Sequence, residues 1–169
     1  YGEMANYEMI FPVDGSPYTF RDTFGDCRDG CARTHQGIDI YAAKGTKIVA
    51  VASGTVRYVN WSRSADLNPG RCCSLVIDHD DGWQMRFIHL INDNPGTDDG
   101  KGWGIAPGIV KGAHVTRGQL IGWVGDSGNA ENVGPHLHYE LEAPGDIYVD
   151  AFESLNEGEA PRGHACAGH

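Results

Sequence analysis

The sequence predicts an all-β chain: a compact antiparallel β-sheet sandwich with long loops forming a groove. Two observations carry that expectation. The 169 residues include 24 glycines, above average usage, and many of them punctuate short runs rich in Val, Ile and Thr, the pattern of strands joined by tight turns. No apolar stripe of helical spacing extends far enough to matter; Ala151-Phe152-Glu153-Ser154-Leu155 supports a turn of helix and no more. A chain of this length with 40% hydrophobic residues buries one core.

In chain order, residues 1–33 read as an extension packed on or near a main domain of residues 34–155, followed by a polar tail, 156–169. Within the extension, Phe11-Pro12-Val13 suits a leading strand, and Tyr18-Thr19-Phe20-Arg21-Asp22-Thr23-Phe24-Gly25 suits packing on the sheet better than a cover for the groove. Strands are then expected over 47–52, 54–61, 74–79, 84–89, 114–115, 120–124 and 135–142. Lys44-Gly45-Thr46-Lys47-Ile48 and Lys111-Gly112-Ala113-His114-Val115 echo each other weakly, as two halves of a folded sheet would; no solenoid period is present. The segments 62–71 and 92–108 read as loops. The second follows His89 directly and is expected to form one wall of a groove, with Trp103 as a contact. Its Asp/Asn/Gly content invites calcium, but the spacing does not match an EF-hand loop.

Chemistry concentrates at His35 and Asp39 in His35-Gln36-Gly37-Ile38-Asp39, and at His136 and His138 in Gly134-Pro135-His136-Leu137-His138-Tyr139-Glu140. Histidine and aspartate are the ligands of catalytic zinc, and three of them leave a position open. On a strand, His136 and His138 share one face, with Leu137, Tyr139 and Leu141 on the other. His35 and Asp39 on a straight strand would sit roughly 13 Å apart, too far to share an ion. The chain must therefore bend between them, and Gly37 permits it. His89, in Arg86-Phe87-Ile88-His89-Leu90, suits proton handling. His79 reads as a turn residue and His114 as an exposed one. His164 and His169 lie in the tail.

These residues, in their order and with their glycine pattern, resemble the lysostaphin-type, or LytM-like, zinc metallopeptidases. The likeness runs over about 34–150. It takes in His35-Gln36-Gly37-Ile38-Asp39-Ile40, Ala50-Val51-Ala52-Ser53-Gly54-Thr55-Val56, Val76-Ile77-Asp78-His79, Phe87-Ile88-His89-Leu90, Gly118-Gln119-Leu120-Ile121-Gly122-Trp123-Val124-Gly125 and Gly134-Pro135-His136-Leu137-His138-Tyr139-Glu140-Leu141. The resemblance implies one Zn2+ held by His35, Asp39 and His138, and catalytic roles for His89 and His136. It implies a peptidoglycan endopeptidase, secreted or periplasmic. Such an enzyme cuts stem peptides or cross-links with a zinc-activated water. A non-enzymatic LytM-like module that binds the wall or activates an amidase is the competing reading, opposed by the intact set of five residues. A lipoyl-type carrier, suggested by Val115-Thr116-Arg117-Gly118-Gln119-Leu120, lacks a modifiable lysine at a hairpin tip.

Five cysteines, Cys27, Cys31, Cys72, Cys73 and Cys166, form no CxxC pair, so disulfides and an oxidising compartment are expected. Cys27 and Cys31 are placed to close a small loop, and Cys166 to tether the tail to Cys72 or Cys73. The net charge of −10 argues against nucleic acid as a partner and fits poorly with unaided adhesion to an anionic wall. Targeting by a separate domain, or action on the host's own wall, follows. No apolar run reaches membrane-spanning length. The chain starts at Tyr1, as a mature or trimmed chain would, and a monomer is expected.

Overall fold

A computed structural model describes residues 7–163 apart from 16, 61–72, 95, 101, 103, 128–129 and 131–132. Trp103, Cys72, Cys166, His164, His169 and the loop at 62–71 lie outside the described residues. The described elements are β1 (Val13–Asp14), β2 (Tyr18–Phe20), β3 (Cys27–Arg28), β4 (Arg33–Thr34), β5 (Ile38–Ala42), β6 (Lys47–Val49) and β7 (Gly54–Asn60), then β8 (Ser74–His79), β9 (Gln84–Ile88), β10 (His114–Val115), β11 (Leu120–Trp123), β12 (His136–Ala143), β13 (Ile147–Val149) and α1 (Phe152–Gly163).

The fold is all-β, and every strand pair among the described residues is antiparallel. A large sheet runs β10-β7-β8-β9-β12-β5-β2, with β13 also paired to β12; a small one runs β1-β6-β11. The two sheets share one core. Val13, Ile48 and Ile121 of the small sheet pack with Ile38, Ile40, Leu75, Ile77, Met85, Phe87, Leu137, Tyr139 and Leu141 of the large one. Strict alternation along β12 and its neighbours sends these apolar side chains inward and leaves the opposite face of the large sheet for polar residues.

β8 and β10 occupy the spans their sequence predicts, and β6, β7, β9, β11 and β12 match theirs to within a few residues. Phe11 is buried ahead of β1, and β2 pairs with β5, so Tyr18 and Phe20 pack against Phe11. α1 is longer than a single turn, with 12 residues. It lacks an apolar stripe because tertiary contacts hold it instead. Leu155 is in the core, the Asp150 carboxylate accepts from Phe152 N (2.9 Å), and the Ser154 hydroxyl accepts from Tyr7 N (2.7 Å). At Gly158 a Cβ would lie 2.7 Å from Met9 O, so the helix docks there by backbone approach, a contact that leaves no apolar signature.

Candidate metal centre and cleft

Register assembles the site. Across the β5–β12 ladder, Asp39 lies opposite His138 and Tyr41 opposite His136; across β9–β12, Ile88 lies opposite His138. Opposed residues on one face stand within side-chain reach. His35 precedes β5 and is tied back by two backbone bonds, His35 N to Asp26 O and Gly25 N to His35 O, both 2.8 Å. The expected bend is present: His35 Nε2 is 3.2 Å from Asp39 Oδ1. Gly37 serves it by absence of bulk. Its φ is not left-handed, but a Cβ there would stand 2.4 Å from Tyr139 O and 2.9 Å from His138 Nε2.

Three donor atoms converge: His35 Nε2, His138 Nδ1 and Asp39 Oδ1, separated by 2.9 Å, 3.0 Å and 3.2 Å. Tetrahedral bonds of about 2.05 Å to zinc place ligand atoms about 3.3 Å apart, so the three form a face of that polyhedron. The far nitrogens agree. His35 Nδ1 sits 2.9 Å from Thr23 O and His138 Nε2 2.8 Å from the Glu140 carboxylate, both acceptors. Each ring therefore carries its N–H outward and, when neutral, directs a lone pair to the centre. Those tautomers are assigned from the acceptors. The residues fit a divalent cation with nitrogen and oxygen ligands.

The electrostatics agree as well. Burial would raise the pKa of Asp39, but hydrogen bonds from His138 and His35 outweigh it and hold the carboxyl well below the usual range. Burial would lower that of His138, but Asp39 and Glu140 push it up to about 9. Two carboxylates thus call for positive charge between them, which an imidazolium or a metal cation supplies. Arg28 Nη2 donates to the other Asp39 oxygen at 3.2 Å. Thr23 locks the bend: its hydroxyl donates to Gly37 O (3.4 Å) and accepts from Asp39 N (3.2 Å).

His89 and His136 stand beside this centre with ring centroids 4.9 Å apart. Each gives Nδ1–H to a backbone carbonyl, His89 to Ser127 O (2.7 Å) and His136 to Gly134 O (2.9 Å), so Nε2 is the ring atom left for the cleft. His89 occupies left-handed backbone (φ 66°), uncommon for a residue other than glycine. Burial first, then the neighbouring His136, lowers its pKa to about 4, so the ring is neutral at pH 7.

The five predicted site residues are therefore together, lining a cleft of about 880 Å³. Its wall differs from expectation. Residues between 21 and 36 line it, including Arg21, Arg28 and Arg33, whereas no described residue of 92–108 does. That loop instead anchors Lys44, whose Nζ lies 2.8 Å from Asp93, 3.2 Å from Asp98 and 3.0 Å from Asp126. The three carboxylates, a second metal-like cluster, surround an ammonium. His79 ends β8 buried, hydrogen-bonded to the Tyr7 hydroxyl (2.8 Å), and His114 is exposed; neither reaches the cleft. Cys27 and Cys31 form a disulfide, and Cys73 is also disulfide-bonded. Thr23 and Glu140 are the site residues that spacing did not single out, although Glu140 continues the alternation of His136 and His138 and was legible on that ground.

The sequence pattern of peptidase family M23 matches residues 33–151. The chain is 33% identical over 148 residues to the L-Ala–D-Glu endopeptidase of Bacillus subtilis (strain 168), covering 83% of this chain and 40% of that protein. The zinc containing peptidase from Vibrio cholerae superposes with a TM-score of 0.60 at 27% identity, over 87% of this chain and 40% of that one. The catalytic domain of lysostaphin from Staphylococcus simulans, at 23% identity, shares the fold with a TM-score of 0.59 over 82% of this chain and 92% of that one. The chain spans 40% or less of the length of the first curated relatives it matches. With the pattern matched across most of its length and the fold shared, the chain belongs to peptidase family M23.

Proposed function

We propose that the chain is a zinc metalloendopeptidase that hydrolyses peptide bonds in peptidoglycan stem peptides or cross-links. The observation that carries this reading is the convergence of His35 Nε2, Asp39 Oδ1 and His138 Nδ1, with two further imidazoles beside it whose Nδ1 atoms are held by backbone carbonyls. His35, Asp39 and His138 would hold the zinc, with Thr23 O and Glu140 fixing the rings. Bound zinc supplies Lewis acidity, polarising a peptide carbonyl and lowering the pKa of a water. His89 Nε2 and His136 Nε2 divide the proton work: one, as a neutral ring, takes the proton of the attacking water, and the other, as an imidazolium that also carries a proton on Nε2, delivers it to the leaving amine or steadies the oxyanion. Their Nδ1–H bonds to Ser127 O and Gly134 O keep the rings in one tautomer and orientation. The walls at 21–36 hold the peptide across the sheet.

A secreted or periplasmic location fits this substrate, and the Cys27–Cys31 disulfide supports an oxidising compartment. Among the described residues no helix is long and apolar enough to cross a membrane. The chain acts as a monomer, with peptidoglycan peptide as its partner. Mass spectrometry of purified peptidoglycan after incubation, with His136→Ala as control, tests the reading. New amino termini that depend on His136 establish the peptidase and name the bond. None, on walls of either cross-link type, favours the wall-binding or amidase-activating module.

A further inference from the structure

The cleft face of the large sheet does not end at the metal centre. Along β12, His136, His138, Glu140 and Glu142 point the same way. Across the ladders, Gln84 faces Glu142, Arg86 faces Glu140, and Tyr148 of β13 faces Glu142. Val76 of β8 pairs with Arg86, and Tyr58 of β7 with Val76, so the same face runs on across four more strands. A second hollow of about 760 Å³ opens there, lined by Arg57, Arg86, Lys111, Glu142, Asp146 and Tyr148 among others. Glu142 lies four positions after His138, roughly 13 Å along the strand. That distance is within reach of a peptide whose scissile bond lies over the metal centre.

Arg86 and Glu142 of this hollow, and Glu140 of the neighbouring cleft, hold charged atoms that the described residues leave without a hydrogen-bond partner. Arg86 Nε, Glu140 Oε2 and Glu142 Oε1 are buried and have no hydrogen-bond partner among the described residues. Arg86 Nε stands 3.7 Å from Glu140 Oε2, and Arg86 Nη2 stands 3.8 Å from Glu142 Oε1, both beyond hydrogen-bond length. Buried polar groups are as a rule paired, and orphaned ones call for a ligand, an ion or water. The orphans here are of both kinds, a guanidinium donor beside carboxylate acceptors. The lining repeats the mixture of signs, with Arg57 and Lys111 cationic and Asp146 anionic, and Arg57 Nη1 3.4 Å from Asp78 Oδ1. A lone carboxylate would answer Arg86 and leave Glu142; a lone ammonium would do the reverse.

We propose that this hollow is a subsite for a zwitterionic group, a carbon bearing both an ammonium and a carboxylate, such as the free end of a diaminopimelate side chain in a wall peptide. Arg86, with Arg57 or Lys111, takes the carboxylate, and Glu142, with Asp146, takes the ammonium. The choice of ligand rests on the wall-peptidase reading; the existence of the subsite rests on the sheet face alone.

The test is binding followed residue by residue in the NMR spectrum of the zinc-loaded protein. The probes are diaminopimelate blocked as acetyl and amide at one end, and Nα-acetyl-lysine amide, which presents the ammonium alone. Saturable shifts at Gln84, Arg86, Glu142 and Tyr148 are expected with the first probe, with at least tenfold weaker binding of the second. Glu142→Gln and Lys111→Gln, which lie apart from the metal ligands, should each weaken the first probe at least fivefold while leaving the spectrum of the cleft unchanged. Equal affinity for the two probes, or shifts elsewhere, overturns the subsite. Wall digestion, measured separately, keeps the two readings apart. Selective binding without digestion retains the subsite and removes the peptidase; digestion without selective binding does the opposite.

Discussion

Gly37 has no room for a methyl group, since the nearest atom to a Cβ there is a backbone carbonyl, Tyr139 O, that cannot swing aside. Gly37→Ala is expected to cost about 1–3 kcal/mol of stability by overpacking and to displace His138, so that zinc content falls with it. Denaturant unfolding and metal analysis read the two effects. At Glu140 the loss is chemical. Glu140→Gln keeps the shape but withdraws the charge that accepts His138 Nε2–H, and a roughly 10–100-fold weaker zinc affinity is expected by chelator competition. Removal of the His89 ring should lower kcat by about 10²–10⁴-fold with zinc retained if His89 carries protons, as proposed, and lies outside the three-donor cluster. At this scale the site was largely legible: HxxxD and HxH name four of five converging rings and carboxylates. Thr23 was hidden because its part is played by a carbonyl and a hydroxyl at a bend, and neither has a spacing rule.

Elements position what residues supply. The loop after β9 looked from its length and polarity like a wall of the groove, but its described part folds around Lys44, which sits between β5 and β6. Through Asp126 that ammonium braces the segment whose Ser127 carbonyl holds His89. Lys44→Met leaves Asp93 and Asp126, both buried, without their cation. A stability loss of about 3–5 kcal/mol is expected in urea, and Lys44→Arg should restore much of it. Strands with alternating apolar residues were read well because burial on one face imposes that period. β5 was not, because only Ile38 and Ile40 are apolar on its core face and Asp39 between them is buried as well, so no in–out alternation marks the strand. β3, β4 and β13 are two or three residues long, too short for any period to show. α1 escaped because its docking uses a cap, a serine and a glycine and no stripe.

The whole molecule carries its acid sensitivity in its buried histidines. Burial lowers the pKa of His89 to about 4 and that of His79 below its ordinary value, against a weaker pull from the aspartates beside His79. For such groups the unfolded chain binds protons that the native one refuses, so stability is full above the ordinary histidine pKa of 6.5 and declines as pH falls below it. For His89 the decline continues to about pH 4 and is on the order of 3 kcal/mol over that range. Calorimetry between neutral pH and pH 4 checks the sign; a melting temperature that rises on acidification would refute it. Zinc should raise the melting temperature by mass action, and a chelator should lower it for the entire cooperative unit.

That last expectation follows from where the three converging donors lie in the chain. His35 and His138 are separated by 103 residues and meet through the pairing of β5 with β12, a strand that lies late in the sequence. A chain in which β12 has not yet paired with β5 therefore lacks the three-donor cluster, so the order of its strands sets when that cluster can form.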